Sequence, residues 1–186
     1  MNDLYEVAGR VFVAVQRLGL RCCVIGGLAL QFRGQDRLTR DVDFSVLTGF
    51  ADEEAVATAL LEEFPARFEG ALEHALSYRV LLLEYERIGI DIGLAGFPYE
   101  EAAIDRATME EISPGLVLPI VSAEDLIIMK AFASRPQDWV DIRGIIVRQG
   151  TVLDWNWIYE NLNPLAELKE DPEVIPTLER IREELR

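Results

Sequence analysis

Three aspartates sit where apolar strand patterning should exclude them. Asp41 and Asp43 begin the run DVDFSVL, and Asp91 lies between isoleucines in RIGIDIGLA. Side chains alternate across a strand, so Asp41 and Asp43 project from one face while Val42 and Phe44 turn to the other. An ionised carboxylate in such a setting is costly unless a cation meets it. Magnesium meets that demand, because it takes oxygen ligands in octahedral array, commonly one or two carboxylates plus phosphate oxygens. For Asp41-x-Asp43 taken alone, an exposed edge strand with a polar face is the better account, since short motifs recur by accident. The third carboxylate argues against that simpler account. Asp91 belongs to a strand expected to be central, and beside Asp41 and Asp43 it completes a set able to hold two metal ions.

Upstream, residues 21–25 form an apolar strand-like run, followed by Gly26-Gly27 and a short helical stretch over 28–32. Glycine between a strand and a helix lets backbone N–H groups approach a phosphate with no Cβ in the way. It also serves purely structural turns, so the pair is informative only together with the aspartates.

Other elements follow from periodicity. Leu4, Val7, Val11 and Val15 mark an amphipathic helix over 3–18. A helix is expected over 52–64, a hairpin from strands 78–85 and 88–94 joined by Glu86-Arg87, a helix over 98–107 and a strand over 116–121. Helices then dominate: 123–134, capped by Ser122 with Asp125; one opened by Pro136 and ended by Gly150; 155–168; and 172–185, with Val174, Leu178, Ile181 and Leu185 in one stripe. The expected organisation is an α/β (α+β) domain over 1–121 and a helical region over 122–186 packed on it.

Composition limits the function classes. The formal net charge of -15 disfavours broad electrostatic binding of nucleic acid, so an RNA substrate needs a local basic patch. A cationic small molecule meets no such barrier. No apolar run reaches bilayer length, and MNDLYEVAGR lacks the form of a signal peptide. The neighbouring Cys22 and Cys23 have no metal or disulfide spacing and read as buried small hydrophobes. A cytoplasmic protein is expected.

Gly-Gly, Asp-x-Asp on the next strand and a lone Asp on a later one together resemble the DNA polymerase beta-type nucleotidyltransferases, and more closely those of the AbiEii toxin type. The resemblance runs from about residue 22 to 146 and includes RLTRDVDF and SAEDLIIMKAFASRPQDWVDIRGII. It implies a nucleotidyltransferase fold with a mixed sheet flanked by helices. It also implies roles for Arg37, Thr39, Lys130 and Asp141 around the metal ligands Asp41, Asp43 and Asp91, with Asp138 or Asp141 orienting Lys130 or the acceptor. The Gly26-Gly27 turn, Arg37, Thr39 and Lys130 would hold the nucleotide. The implied reaction moves an NMP from an NTP to an acceptor hydroxyl with Mg2+ or Mn2+, Asp91 being the nearest general base. The acceptor would be RNA such as tRNA, and an antitoxin protein would be a partner. The helical region is short for toxins of this group, and Gly-Gly replaces the more usual Gly-Ser.

Lys130 is constrained by its neighbours as well. Leu126, Ile127, Ile128, Met129, Ala131, Phe132 and Ala133 surround it, so it must reach the surface or meet an anion; a triphosphate is the preferred anion here. Asp138 and Asp141 share a helical face and are also explained as charge pairs at a helix start. Arg37 and Arg40 lie in the polar loop before the aspartates, where arginines are commonly just solvated. The three tryptophans are expected in the core. Two rival functions remain: a small-molecule nucleotidyltransferase of the aminoglycoside or lincosamide type, and a silent nucleotide-binding module. Asp91, retained between isoleucines, speaks against the second.

Overall fold

Two parallel strands, β2 (Asp41–Leu47) and β4 (Ile88–Ala95), lie inside the sheet of the first unit. The computed structural model describes residues 2–185. Val42, Phe44 and Val46 on β2, with Ile90 and Ile92 on β4, are 0% exposed. Each such side chain contributes about 1.5–3 kcal/mol by leaving water, which fixes the register: a slip by one residue would bury the aspartates instead. Around this pair lie β1 (Cys22–Val24), β3 (Val80–Tyr85), β5 (Thr108–Ser113) and β6 (Leu116–Ile120). The resulting six-stranded mixed sheet has the order β3-β4-β2-β1-β6-β5. β1 runs antiparallel to β2 and parallel to β6, while β3–β4 and β5–β6 are antiparallel.

Helices α1 (Asn2–Arg17), α2 (Gly26–Arg33), α3 (Glu53–Glu63), α4 (Ala71–Tyr78) and α5 (Pro98–Asp105) punctuate these strands. The β3–β4 hairpin turns on Glu86 and Arg87, both at positive φ (52° and 67°), the pairing of a type I′ turn achieved without glycine. Cys22 and Cys23 are buried thiols, and burial pushes the Cys22 thiol up to about 12.

Four element boundaries or assignments in the structure differ from those expected. Gly26 and Gly27 form the first turn of α2 instead of preceding it. Residues 71–78 are helical, so Tyr78 ends α4 and the strand starts at Val80. β5 was not expected, because Met109, Glu110 and Glu111 give no apolar alternation on an edge strand. Leu185 is 37% exposed, since the last helix (Val174–Glu184) ends one residue before it.

The chain divides into two compact units: Met1–Leu28 with Leu38–Val121, and Ala29–Arg37 with Ser122–Arg186. The second consists of the end of α2, then α6 (Ala123–Ala133), α7 (Pro136–Gln149), a 3-10 turn (Gly150–Val152), α8 (Trp155–Lys169) and α9 (Val174–Glu184). Ser122 caps α6 by accepting from the Asp125 N–H at 3.0 Å. The fully buried Asp125 accepts in turn from the Ser122 hydroxyl (2.5 Å) and the Trp157 indole (2.9 Å). Trp139, Trp155 and Trp157 are half-buried instead of forming core. Residues 29–37 join this unit through Gly34, whose Cα abuts Ile145, and through Arg148 and Gln149, which donate to the carbonyls of Gln31, Gly34 and Arg33. No described helix is long and apolar enough to cross a membrane.

Candidate active site

In the first unit, parallel pairing sets Asp43 directly beside Asp91 and Asp41 beside Gly89. Partners across a parallel ladder point to the same side of the sheet, so all three carboxylates rise from the face opposite Val42, Phe44, Ile90 and Ile92. On β4 that face reads Gly89, Asp91, Gly93. The alternation Gly-x-Asp-x-Gly leaves room around Asp91, a signal present in GIDIG but overshadowed by the flanking isoleucines.

The glycines of α2 are shaped around the same aspartates. Gly26 has φ +62°, and a Cβ there would run into the Asp43 carboxylate. A Cβ on Gly27 would meet the Thr39 hydroxyl, and the Gly27 N–H reaches Asp43 Oδ2 at 3.4 Å. The Thr39 hydroxyl donates to the Asp41 carbonyl at 3.3 Å. Residues 26, 27, 39, 41 and 43 therefore form one local group: glycine permits the approach, and a helix N-terminus with its partial positive charge faces a carboxylate.

A cation not singled out from the sequence enters this group. Arg67 lies between α3 and α4, and its Nη2 is 2.5 Å from Asp91 Oδ1. The same Nη2 donates to the Leu83 carbonyl at 3.2 Å, and the Arg67 backbone N–H donates to Leu82 at 3.1 Å. A Cβ on Gly89 would strike both this guanidinium and the Asp41 carboxylate. Among the described residues no three carboxylates, histidines or cysteines converge at metal-holding distances. The donor set, three carboxylates on one sheet face, nevertheless suits a hard divalent cation in type and charge. A groove of about 550 Å³ lined by Glu6, Arg10, Phe64 and Tyr85 shares none of these residues.

The second unit holds a buried ionic network. Lys130 is 5% exposed and does not reach the surface; the anions it meets are Asp141 Oδ2 at 2.6 Å and Asp138 Oδ1 at 3.4 Å. Asp141 also accepts from Arg37 Nε (3.1 and 3.2 Å) and from Gln137 (3.0 Å). Asp138 caps α7, accepting from the Arg135 backbone N–H at 3.1 Å, and pairs with the Arg135 side chain. Burial alone would raise both carboxyls. For Asp141 the hydrogen bonds from Lys130, Gln137 and Arg37 outweigh it, and for Asp138 those from Arg135 with the charge of Lys130, so both are held below the usual carboxylate range.

The structure thus brings Gly26, Gly27, Thr39, Asp41, Asp43 and Asp91 together in one unit, and Arg37, Lys130, Asp138 and Asp141 in the other. Arg40 is exposed. Arg67 and Gln137 were missed, because each is an ordinary polar residue whose partner is remote or on a neighbouring helical turn.

A family profile described as nucleotidyl transferase AbiEii toxin, Type IV TA system, matches residues 13–181. Among curated proteins none matches the chain. An antigenic nucleotidyltransferase-like protein from Paracoccidioides brasiliensis shares 18% identity, with TM-score 0.54 over 96% of this chain and 93% of its own. The antibiotic-resistance factor ANT(2'')-Ia shares 17% identity, with TM-score 0.51 over 100% of this chain and 92% of its own. At such identities the likeness shows a common fold, that of the nucleotidyltransferases. The profile spans both units, from α1 to α9, and on that ground the chain belongs to the AbiEii toxin family of nucleotidyl transferases.

Proposed function

We propose that this protein transfers an NMP from an NTP to an acceptor hydroxyl, with Asp41, Asp43 and Asp91 as the ligands of Mg2+ or Mn2+. The observation that carries this reading is the register Asp43↔Asp91 between parallel strands, which puts three carboxylates on one sheet face beside the glycine-opened N-terminus of α2. A divalent cation held there would neutralise the triphosphate and acidify the acceptor hydroxyl. The acceptor oxygen attacks the α-phosphorus in line, the α–β phosphoanhydride bond breaks, and pyrophosphate leaves. Asp91 takes the hydroxyl proton. The Gly26-Gly27 amides and Thr39 bind phosphate oxygens.

Lys130 and Asp141 act on Arg37 within the second unit. Lys130 anchors Asp141, and Asp141 fixes Arg37 through Nε, four residues before Asp41 in the chain. This is a positioning role, and it replaces the direct contact with phosphate expected from the sequence.

RNA such as tRNA is the proposed acceptor, with the protein acting in the cytoplasm as the toxin of a toxin–antitoxin pair. One observation favours a second reading: the net charge of -15 repels a polyanion and attracts a cationic small molecule. Incubation with each α-labelled NTP and Mn2+, with total tRNA in one arm and aminoglycosides in the other, decides between them. Label transfer that is lost in Asp43→Asn and Asp91→Asn supports the proposal; undiminished transfer by Asp91→Asn refutes the three-carboxylate site.

A further inference from the structure

Arg67 is the cation nearest the third carboxylate. Its guanidinium is tied to Asp91 at 2.5 Å and to the Leu83 carbonyl at 3.2 Å, with side-chain exposures of 31% for Arg67 and 33% for Asp91. Its backbone is held as well: the Arg67 N–H donates to Leu82, Ala66 bridges to Leu83, and the Glu84 N–H donates to Pro65. Residues 65–67 thereby lie along β3 and direct one arginine across the hairpin onto the aspartate face. Gly89 is the residue that lets it in, since any side chain there would strike the guanidinium and Asp41 together.

We infer that Arg67 is a displaceable counter-ion: it neutralises Asp91 in the metal-free protein and must leave Asp91 before a divalent cation can use that carboxylate. The inference rests on the metal-site reading above. Three carboxylates crowded on one face repel, and a guanidinium among them stabilises the empty arrangement. An arginine and a divalent cation cannot share Asp91 Oδ1 at 2.5 Å without strong like-charge repulsion. Cation binding at Asp91 is therefore weakened by the loss of the Arg67 ion pair. The exposed flank of the pair gives the arginine somewhere to go, and the phosphates of an arriving NTP are a suitable new partner for it. Tight metal binding would then follow nucleotide, not precede it.

The test is calorimetric titration of Mn2+ alone into the full-length protein and its variants at neutral pH. Arg67→Gln keeps an N–H donor for the Leu83 carbonyl and removes the charge. It should bind Mn2+ about tenfold more tightly than wild type, which is about 1.4 kcal/mol. Arg67→Lys keeps the charge and should stay within about threefold of wild type. In an Asp91→Asn background the Arg67→Gln gain should vanish, an effect that a merely structural role for Arg67 would not produce. Equal or weaker binding by Arg67→Gln overturns the counter-ion role, as does an equal gain in Arg67→Lys. Absence of saturable Mn2+ binding in wild type and Arg67→Gln alike overturns the metal-site reading itself. If Arg67→Gln fails to fold by circular dichroism, Arg67→Ala with and without millimolar guanidinium ion takes its place. Tighter binding that added guanidinium reverses supports the inference, and binding insensitive to guanidinium refutes it.

Discussion

Replacing Lys130 by methionine keeps the length and helix propensity of the side chain and removes only its charge. From the sequence alone this looks benign to the fold. In the structure it deprives two carboxylates, each 2% exposed at the side chain, of a shared cation. At 2.6 Å and an effective dielectric near 20, the Lys130–Asp141 attraction is about 6 kcal/mol. Desolvation of two ions costs several kcal/mol each, so the intact pair adds little net stability. Breaking it is different, because one buried charge is left behind, at a typical cost of about 3–5 kcal/mol. Lys130→Met should fall near the lower end, since Arg37, Gln137 and Arg135 still serve the two aspartates. Asp141→Leu should cost more, leaving Lys130 with Asp138 at 3.4 Å as its remaining ion-pair partner. The double variant Lys130→Met/Asp141→Leu removes both charges and should be more stable than Asp141→Leu alone. Urea denaturation of all four proteins at pH 7 gives the coupling, expected at about 2–3 kcal/mol. Single effects that add to within about 0.5 kcal/mol would refute the buried pair as the unit of stability.

Gly26→Ala adds a Cβ at φ +62° against the Asp43 carboxylate; a left-handed non-glycine residue costs about 1–2 kcal/mol, and nucleotidyl transfer should fall at least about tenfold while circular dichroism stays native. Gly89→Ala should evict the Arg67 guanidinium, lowering the metal-free melting temperature measured by scanning calorimetry. The depressed carboxyls of Asp138 and Asp141 set a pH dependence: their ionised forms are favoured by folding, so their contribution is full above the unfolded-state value near 3.9 and is lost as pH falls through their lower folded values. Between about pH 5 and 2, unfolding free energy from urea titrations should therefore fall more steeply for wild type than for Asp141→Asn.

The parts of the fold that were legible are those where burial imposes a period. Val42, Phe44 and Val46 alternate with Asp41, Asp43 and Ser45, and β2 forms where that alternation places it. The hairpin at Glu86-Arg87 was also legible, although its residues lack the usual turn chemistry, because the flanking strands specify it. α4 and β5 were not: ALEHALSY is short and only Ala71 and Ala75 are buried, while TMEEIS is an edge strand with a single buried residue, Ile112. At the site, the three aspartates stood out by being polar in apolar company. Arg67 carried no such contrast, since an arginine in a polar loop is unremarkable until β3 and β4 put Asp91 within its reach. Lys130 did stand out, yet its partner could be assigned only once α7 was seen to lie beside α6.

The path of the chain through its two units sets a timetable for biosynthesis. Ala29–Arg37 belongs with a body whose other residues begin at Ser122, so the segment waits while residues 38–121 are made. At about 5–20 residues per second a ribosome needs roughly 4–17 seconds for that stretch. Throughout it Ala29 and Leu30, fully or almost fully buried in the finished protein, have no helical body to join. Release of a truncated product anywhere in 38–121 leaves this apolar segment stranded, and such fragments should be targets for chaperones and proteases, never miniature enzymes.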